Sequence, residues 1–220
     1  MVTELHLQNL GKRFNRHWIF RRINFSFLSG NAYAITGPNG SGKSTLLQVI
    51  AGAMQHSEGT ISNGNPLING TAKQPATGNR QLATDSYYQY ISIAAPYLEL
   101  IEELTLKEFL EFHFKFKEIL PSHSIESIIE YISLADAADK QIRYYSSGMK
   151  QRVKLAQAIF SNTAVVLLDE PTTNLDVKGI SLYLDLVNRF CKDRLLIVCS
   201  NDENEISFCK QRLNVGDFKG

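Results

Sequence analysis

The stretch "GPNGSGKST", Gly37 to Thr45, sets small residues around one cation and three hydroxyls at the spacing G-x-x-x-x-G-K-[ST]. Small residues let successive backbone N–H groups turn toward one point, where a helix beginning near Lys43 adds the partial positive charge of its N-terminus. That is phosphate-binding chemistry. Asn39, Gly40, Ser41, Gly42 and Thr45 form the cradle, Lys43 reaches the β- and γ-phosphates of a nucleotide, and the Ser44 hydroxyl ligates Mg²⁺. A second stretch, "VVLLDEPTTNLD", ends an apolar run in Asp169 and Glu170. Asp169 suits the Mg²⁺ shell, and Glu170 suits alignment or deprotonation of a water for in-line attack on the γ-phosphate. In "YYSSGMKQRVKLAQAIF", Ser146, Ser147 and Gly148 open an amphipathic helix, where they make either a plain cap or a second anion site. A glycine turn before a helix and a pair of loop-capping acids explain the first two stretches singly, not their joint occurrence.

These residues need a scaffold that presents strand ends. Glu4 to Leu10, "WIFRRINFSFL" and "NAYAITG" read as extended, and "KSTLLQVIAGA" from Lys43 to Ala53 reads as a helix that stops at a glycine. Strand, glycine loop and helix thus follow one another. Residues 57–88 are rich in Gly, Asn, Ser, Thr and Pro, consistent with a hairpin and a long polar loop. After the strand-like "YQYISIAAP", the run "TLKEFLEFHFKFKEIL" reads as helix, with a capping box from Thr105 and Glu108. Further helices are expected over Ile125 to Ser133 and Ser146 to Phe160, making residues 97–158 a helical insertion. "AVVLLDE" and "RLLIVCS" are buried strands around the helix "GISLYLDLVNRFC". Continuous Val/Ile/Leu strands alternating with helices imply a parallel sheet covered on both faces, with ligands beyond the carboxyl ends of its strands.

Composition narrows the classes. The 220 residues suffice for one folding unit, residues 1–220. A net charge of +1 gives no global case for a nucleic-acid partner, and none is expected. Cys191, Cys199 and Cys209 match neither zinc nor disulfide spacing and read as buried thiols. The alternating "MVTELHLQNL" is unlike a signal peptide, and no apolar run approaches the ~20 residues of a membrane span, so the expected location is cytoplasmic.

Together the three motifs resemble the nucleotide-binding subunit of ABC transporters, from about Leu5 to beyond Ser200. The resemblance implies an α/β P-loop NTPase with a mainly parallel core sheet, an N-terminal antiparallel β subdomain and an inserted α-helical subdomain. It makes "YSSGM" the signature, "TNLD" the D-loop ending at Asp176, and Phe14 the aromatic that stacks on adenine. It implies an ATPase using ATP and Mg²⁺, in a head-to-tail dimer where Ser146, Ser147 and Gly148 act on the other subunit's nucleotide. Dimer opening and closing would drive a membrane-spanning permease subunit, holding the chain on the inner face of the membrane. A P-loop kinase or small GTPase has no counterpart to "YSSGMKQR" before the acidic strand.

Two positions depart from the family pattern. Where the family places a switch histidine at the γ-phosphate this chain has Asn201, in "LLIVCSNDENEI", which can donate a hydrogen bond but cannot become a cation. Losing one such preorganised donor costs roughly 10²–10³ in rate. Aligning Asp202 there instead would add negative charge beside phosphate. The Q-loop glutamine position falls on Pro96, beside Ala95, and only Glu99 and Glu102 are polar enough nearby to substitute. The signature also carries Ser147 for the commoner glycine and Met149 for glutamine, a variant similar to that of some exporter ATPases. The expectation is an ATP-hydrolysing transporter subunit, more an exporter than an importer, with slow turnover or a site completed by a partner. The alternatives are a non-transport ATP-dependent switch on a soluble or ribosomal partner, and a catalytically weak half of a heterodimer. Homodimer and heterodimer both remain open. Soluble translation-type relatives carry two cassettes in one chain, whereas this one has one P-loop.

Overall fold

The computed structural model describes residues 4–63 and 88–219. Two sheets form from strands of opposite character. Strands β1 (Glu4–Phe14), β2 (His17–Leu28) and β4 (Glu58–Asn63) alternate buried and exposed residues and pair antiparallel in the order β2-β1-β4. Strands β6 (Val165–Asp169) and β7 (Leu195–Cys199) are buried at every position. With β3 (Ala32–Thr36), β5 (Ile91–Ala94) and β8 (Gln211–Asn214) they make a five-stranded parallel sheet in the order β5-β6-β7-β3-β8.

The two-residue period of a strand explains why unbroken apolar runs are needed here. Val165, Leu167, Leu195 and Ile197 face one core, with Leu5, Phe20 and Phe27 of the antiparallel sheet and Leu46 and Leu47 of helix α1 (Lys43–Ile50). Val166, Leu168, Leu196 and Val198 face a second core built from the helices α2 (Leu106–His113), α3 (Ile125–Tyr131), α4 (Ser147–Ile159) and α5 (Val177–Phe190). A short α6 (Glu203–Ile206) follows β7.

Three expectations from sequence shift. The run from Thr105 keeps its capping box but ends as helix at His113, because Lys115 and Phe116 close tight turns onto Phe112 and His113. The chain is then drawn into a bridge between Ile119 and Ser161, with Leu120 N–H donating to Phe160 O at 2.8 Å. Helix α1 stops at Ile50, short of Ala53. Strand β8 was not anticipated, since in "QRLN" only Leu213 is fully buried and an edge strand has little apolar signal. Most of the polar loop, residues 64–87, lies outside the described residues.

At the amino edge of the parallel sheet the Arg194 side chain is buried and surrounded by acceptors. It donates to Thr163 O (2.8 Å), Ile159 O (2.6 Å), Ser161 O (2.9 Å) and Thr163 Oγ1 (2.9 Å). The Ile159 carbonyl belongs to the last residue of α4 and Ser161 follows just beyond its cap, where a cation also meets the negative end of the helix dipole. Thr163 Oγ1 in turn bonds Ser92 Oγ at 2.8 Å. Cys191, Cys199 and Cys209 are buried free thiols, and among the described residues no helix is long and apolar enough to cross a membrane.

Candidate functional site

Register brings the carboxyl ends together. Ile35 and Asp169 both pair with Cys199 on either side of β7. The loop after β3, the acids after β6 and the "SND" after β7 therefore leave the sheet side by side. The 37–45 segment turns through glycines with φ of +137° at Gly37, +76° at Gly40 and +103° at Gly42. Gly42 is the N-cap of α1, and a Cβ there would lie 2.3 Å from Ile19 Cγ2, so both backbone and space demand glycine. Lys43 is buried, and its ammonium donates to Gly37 O at 2.9 Å, across the loop it would otherwise leave. Pro38, Asn39 and Gly40 are exposed, while Ser41 is buried with an unpartnered Oγ.

Asp169 is 2% exposed, and its Oδ1 has no hydrogen-bond partner. Burial pushes its carboxyl up to about 6; Ser44, hydrogen-bonded to it, and nearby Lys43 pull the other way, while Glu170 and Glu205 add to the rise. An orphaned carboxylate oxygen beside a serine hydroxyl, next to the N-terminus of α1, fits a hard divalent cation that takes few protein oxygens and completes its shell with phosphate and water. Ser44 and Asp169 are the residues that would hold Mg²⁺. Glu170 is exposed and sits at φ +44°, a conformation costing a non-glycine residue about 1 kcal/mol or more. The segment after it is anchored from both sides. Gln151 of α4 donates to Pro171 O at 2.8 Å, and the buried Glu205 carboxylate of α6 accepts from Thr172 N–H (2.7 Å) and Thr172 Oγ1 (2.5 Å).

Asn201 reaches the phosphate loop. Its amide accepts from Gly37 N–H at 3.1 Å and donates to Gly37 O at 2.8 Å, closing a two-bond pair on the first residue of the loop. Asp202 is not at that point. Its carboxylate caps α6, accepting from Asn204 N–H at 2.9 Å. Phe14 ends β1 46% exposed, with the Lys12 ammonium over its ring, 4.9 Å from the ring centre.

Ser146, Ser147 and Gly148 are not beside the phosphate loop. Ser146 caps α4, accepting from Met149 N–H at 3.2 Å. They open instead on a second pocket of about 480 Å³ shared with Asn174, Leu175 and Asp176. A Cβ on Gly148 would lie 2.9 Å from Asn174 O, so glycine permits the two backbones to approach. Arg152 lies in the same pocket, 3.6 Å from Asp176, with a buried Nε that has no partner.

Glu102 pairs with Lys150 at 2.5 Å, and Glu99 acts electrostatically on Lys154. Burial and the charge of Asp169 push the Tyr97 phenol up to about 12. Glu205 and Gln151 were missed in the sequence. A buried acid three residues past a capping Asp is a signal only once the fold is known.

Comparison with known proteins now decides the family: the family model described as "ABC transporter" matches residues 20–173. The chain belongs to the ABC transporter family. Among curated members it is similar to the linearmycin resistance ATP-binding protein LnrL of Bacillus subtilis, at 27% identity over 97% of this chain and 66% of LnrL. It is equally similar to a putative hemin import ATP-binding protein of Staphylococcus aureus, at 27% over 100% of this chain and 98% of that protein. The chain spans about two thirds of LnrL and 57% of a second Bacillus relative. In fold it is similar to the dimeric cassette MJ0796, with a TM-score of 0.77 at 23% identity over 96% of this chain and 95% of that one. The parallel sheet, separate antiparallel sheet and inserted helices are thus those of an ABC nucleotide-binding domain.

Proposed function

We propose that the chain is an ATP-hydrolysing subunit that dimerises head to tail around two ATP and drives a separate membrane-spanning partner, more an exporter than an importer. The observation that carries the reading is the meeting at one sheet edge of the phosphate loop, the unpartnered Asp169 oxygen and Glu170. The head-to-tail arrangement is supported by the separate signature pocket, whose lining contains no residue of the phosphate loop. A signature that does not reach its own loop has use for a second copy. Export rests on the "YSSGM" variant, and the relatives named for drug resistance and for hemin import leave both directions represented in the family.

In this reading the 39–45 backbone and Lys43 bind the phosphates, and Phe14 stacks on the base. Ser44 and Asp169 would hold Mg²⁺, which would supply neutralising charge to the phosphate oxygens. Glu170 orients and deprotonates the attacking water, held in place by the anchored Pro171 and Thr172. Asn201, already bonded at both ends to Gly37, supplies at most one neutral donor to the γ-phosphate, so turnover is slow.

The test is steady-state MgATPase of the purified chain across a wide concentration range, with Glu170→Gln and Asn201→His. A rate per subunit that rises with concentration, falls about 10²-fold or more in Glu170→Gln and rises in Asn201→His agrees with the proposal. Wild-type turnover of ~1–100 s⁻¹ that Asn201→His does not improve refutes the slow site. Activity independent of concentration refutes the head-to-tail dimer. Tight ATP binding with no turnover at any concentration favours a half of a heterodimer.

A further inference from the structure

The aromatic proposed to meet the base is itself held by a cation. Lys12 and Phe14 stand two residues apart on β1, the spacing that sets side chains on one face of a strand, and the half-buried Lys12 places its ammonium over the Phe14 ring, 4.9 Å from its centre. The same ammonium donates to Gln55 O at 2.7 Å. Gln55 lies in the turn just past α1, where Met54 N–H donates back to Gln48 O at 3.2 Å. Ser57 ties that turn to β1, donating from its N–H to Gly11 O (2.7 Å) and accepting at Oγ from Arg13 N–H (3.1 Å). At the other end of α1 the antiparallel sheet touches the phosphate loop directly. The β1–β2 pairing skips Ile19, between Lys12 opposite Phe20 and Arg13 opposite Trp18, and the Ile19 side chain lies against Gly42. The hairpin that carries Phe14 is thus fixed to both ends of α1, while Phe14 itself is 46% exposed and belongs to neither core.

We propose that Lys12 is a positioning residue for the base: its ammonium, anchored on Gln55 O, clamps one face of the Phe14 ring and leaves the opposite face to a purine. The proposal rests on the reading of the chain as an ATP-binding subunit in which Phe14 stacks on adenine. A phenyl ring at the exposed end of a strand turns about two torsions, and a cation held over one face restricts it, so less ordering is left for the nucleotide to impose. The cation also draws π density toward itself, which makes the opposite face a poorer electron donor and a better partner for an offset-stacked, electron-rich purine. The anchor matters as much as the charge. An exposed lysine samples many rotamers, and the Gln55 carbonyl selects the one that covers the ring. The role is distinct from phosphate binding. The Lys12 ammonium is tied past the C-terminal end of α1 and the phosphate loop opens its N-terminal end, with eight helical residues, about 12 Å, between them.

The test is calorimetric titration of the full chain with adenylyl imidodiphosphate, a non-hydrolysable ATP analogue, and with inorganic tripolyphosphate, which has no base, each in the presence of Mg²⁺. Lys12→Met keeps the stem and removes the charge. It is expected to weaken the analogue about three- to fivefold and to leave tripolyphosphate unchanged, and Lys12→Arg is expected to restore the wild-type affinity. Phe14→Ala is expected to weaken the analogue about tenfold or more, with no further loss when Lys12→Met is added. Unchanged analogue affinity in Lys12→Met overturns the proposal. Equal losses for the analogue and tripolyphosphate overturn it too, since the ammonium would then serve the phosphates or the fold at large, as does a further loss on top of Phe14→Ala. A Phe14→Ala chain that binds the analogue like the wild type overturns the stacking role of Phe14, and a wild-type chain that binds neither probe overturns the nucleotide reading itself.

Discussion

The two edges of the parallel sheet are built to opposite rules. At the amino edge the buried guanidinium of Arg194 is met by carbonyls and a hydroxyl on all sides, and Ser92 and Thr163 satisfy each other. At the carboxyl edge Asp169 Oδ1 and Ser41 Oγ are buried with no partner, and Glu170 holds a left-handed backbone. Among the described residues the remaining orphan is Arg152 Nε, in the signature pocket. An unpaired buried polar group costs roughly 1–3 kcal/mol, so its persistence needs a use. Here the orphans gather where phosphate, metal and a second subunit are proposed to bind. One edge is optimised for the fold alone, and the other is left incomplete for a ligand.

That contrast can be broken most forcefully at the amino edge. Arg194→Ala is expected to destabilise the chain by about 3 kcal/mol or more in urea unfolding, because several buried carbonyls lose their donor at once. Nucleotide affinity of the remaining folded protein should hold, and a large loss of affinity without loss of stability would erase the distinction between the edges.

Asp169→Asn should do the reverse, raising the stability of the ligand-free chain by about 1–3 kcal/mol at pH 7 while abolishing metal-dependent nucleotide binding. The sign follows from the carboxyl lying at about 6 in the fold, above its ordinary value near 3.8. Between those values the folded chain holds a proton that the unfolded chain releases. Stability contributed by the group therefore falls as pH rises through this window, and the advantage of Asn should shrink at pH 5. By the same titration, Mg²⁺ affinity of the wild type should fall as pH drops below about 6. An Asp169→Asn gain that does not shrink on acidification would count against the buried, raised carboxyl.

The smallest effects make the finest comparison. Ser41→Ala removes a hydroxyl without a partner and should be neutral or stabilising by up to ~1 kcal/mol without ligand, whereas Ser92→Ala strands part of the Thr163 cluster and should cost about 1 kcal/mol. Equal losses in both would show that the unpartnered hydroxyl is not a reserve for ligand.

Local chemistry was readable in proportion to its locality. The phosphate loop lies within nine residues and carries its own strand and helix signals, and the acids of Asp169 and Glu170 stand where a buried strand must end. The caps at Thr105, Ser146 and Asp176 bond three residues ahead and are equally self-contained. Glu205 was hidden because its partner Thr172 is 33 positions away.

The sequence alone determined the glycine-rich loop proposed to cradle phosphate, which strands are buried on both faces and where the chain departs from its family, because each depends on residue type and short-range period. Tertiary structure decided the rest. It put Asn201 on Gly37 across 164 residues, paired Glu102 with Lys150, and gave the signature a pocket whose lining holds no residue of the phosphate loop. Those outcomes follow from strand order and register, which long-range packing selects and which local pattern does not encode.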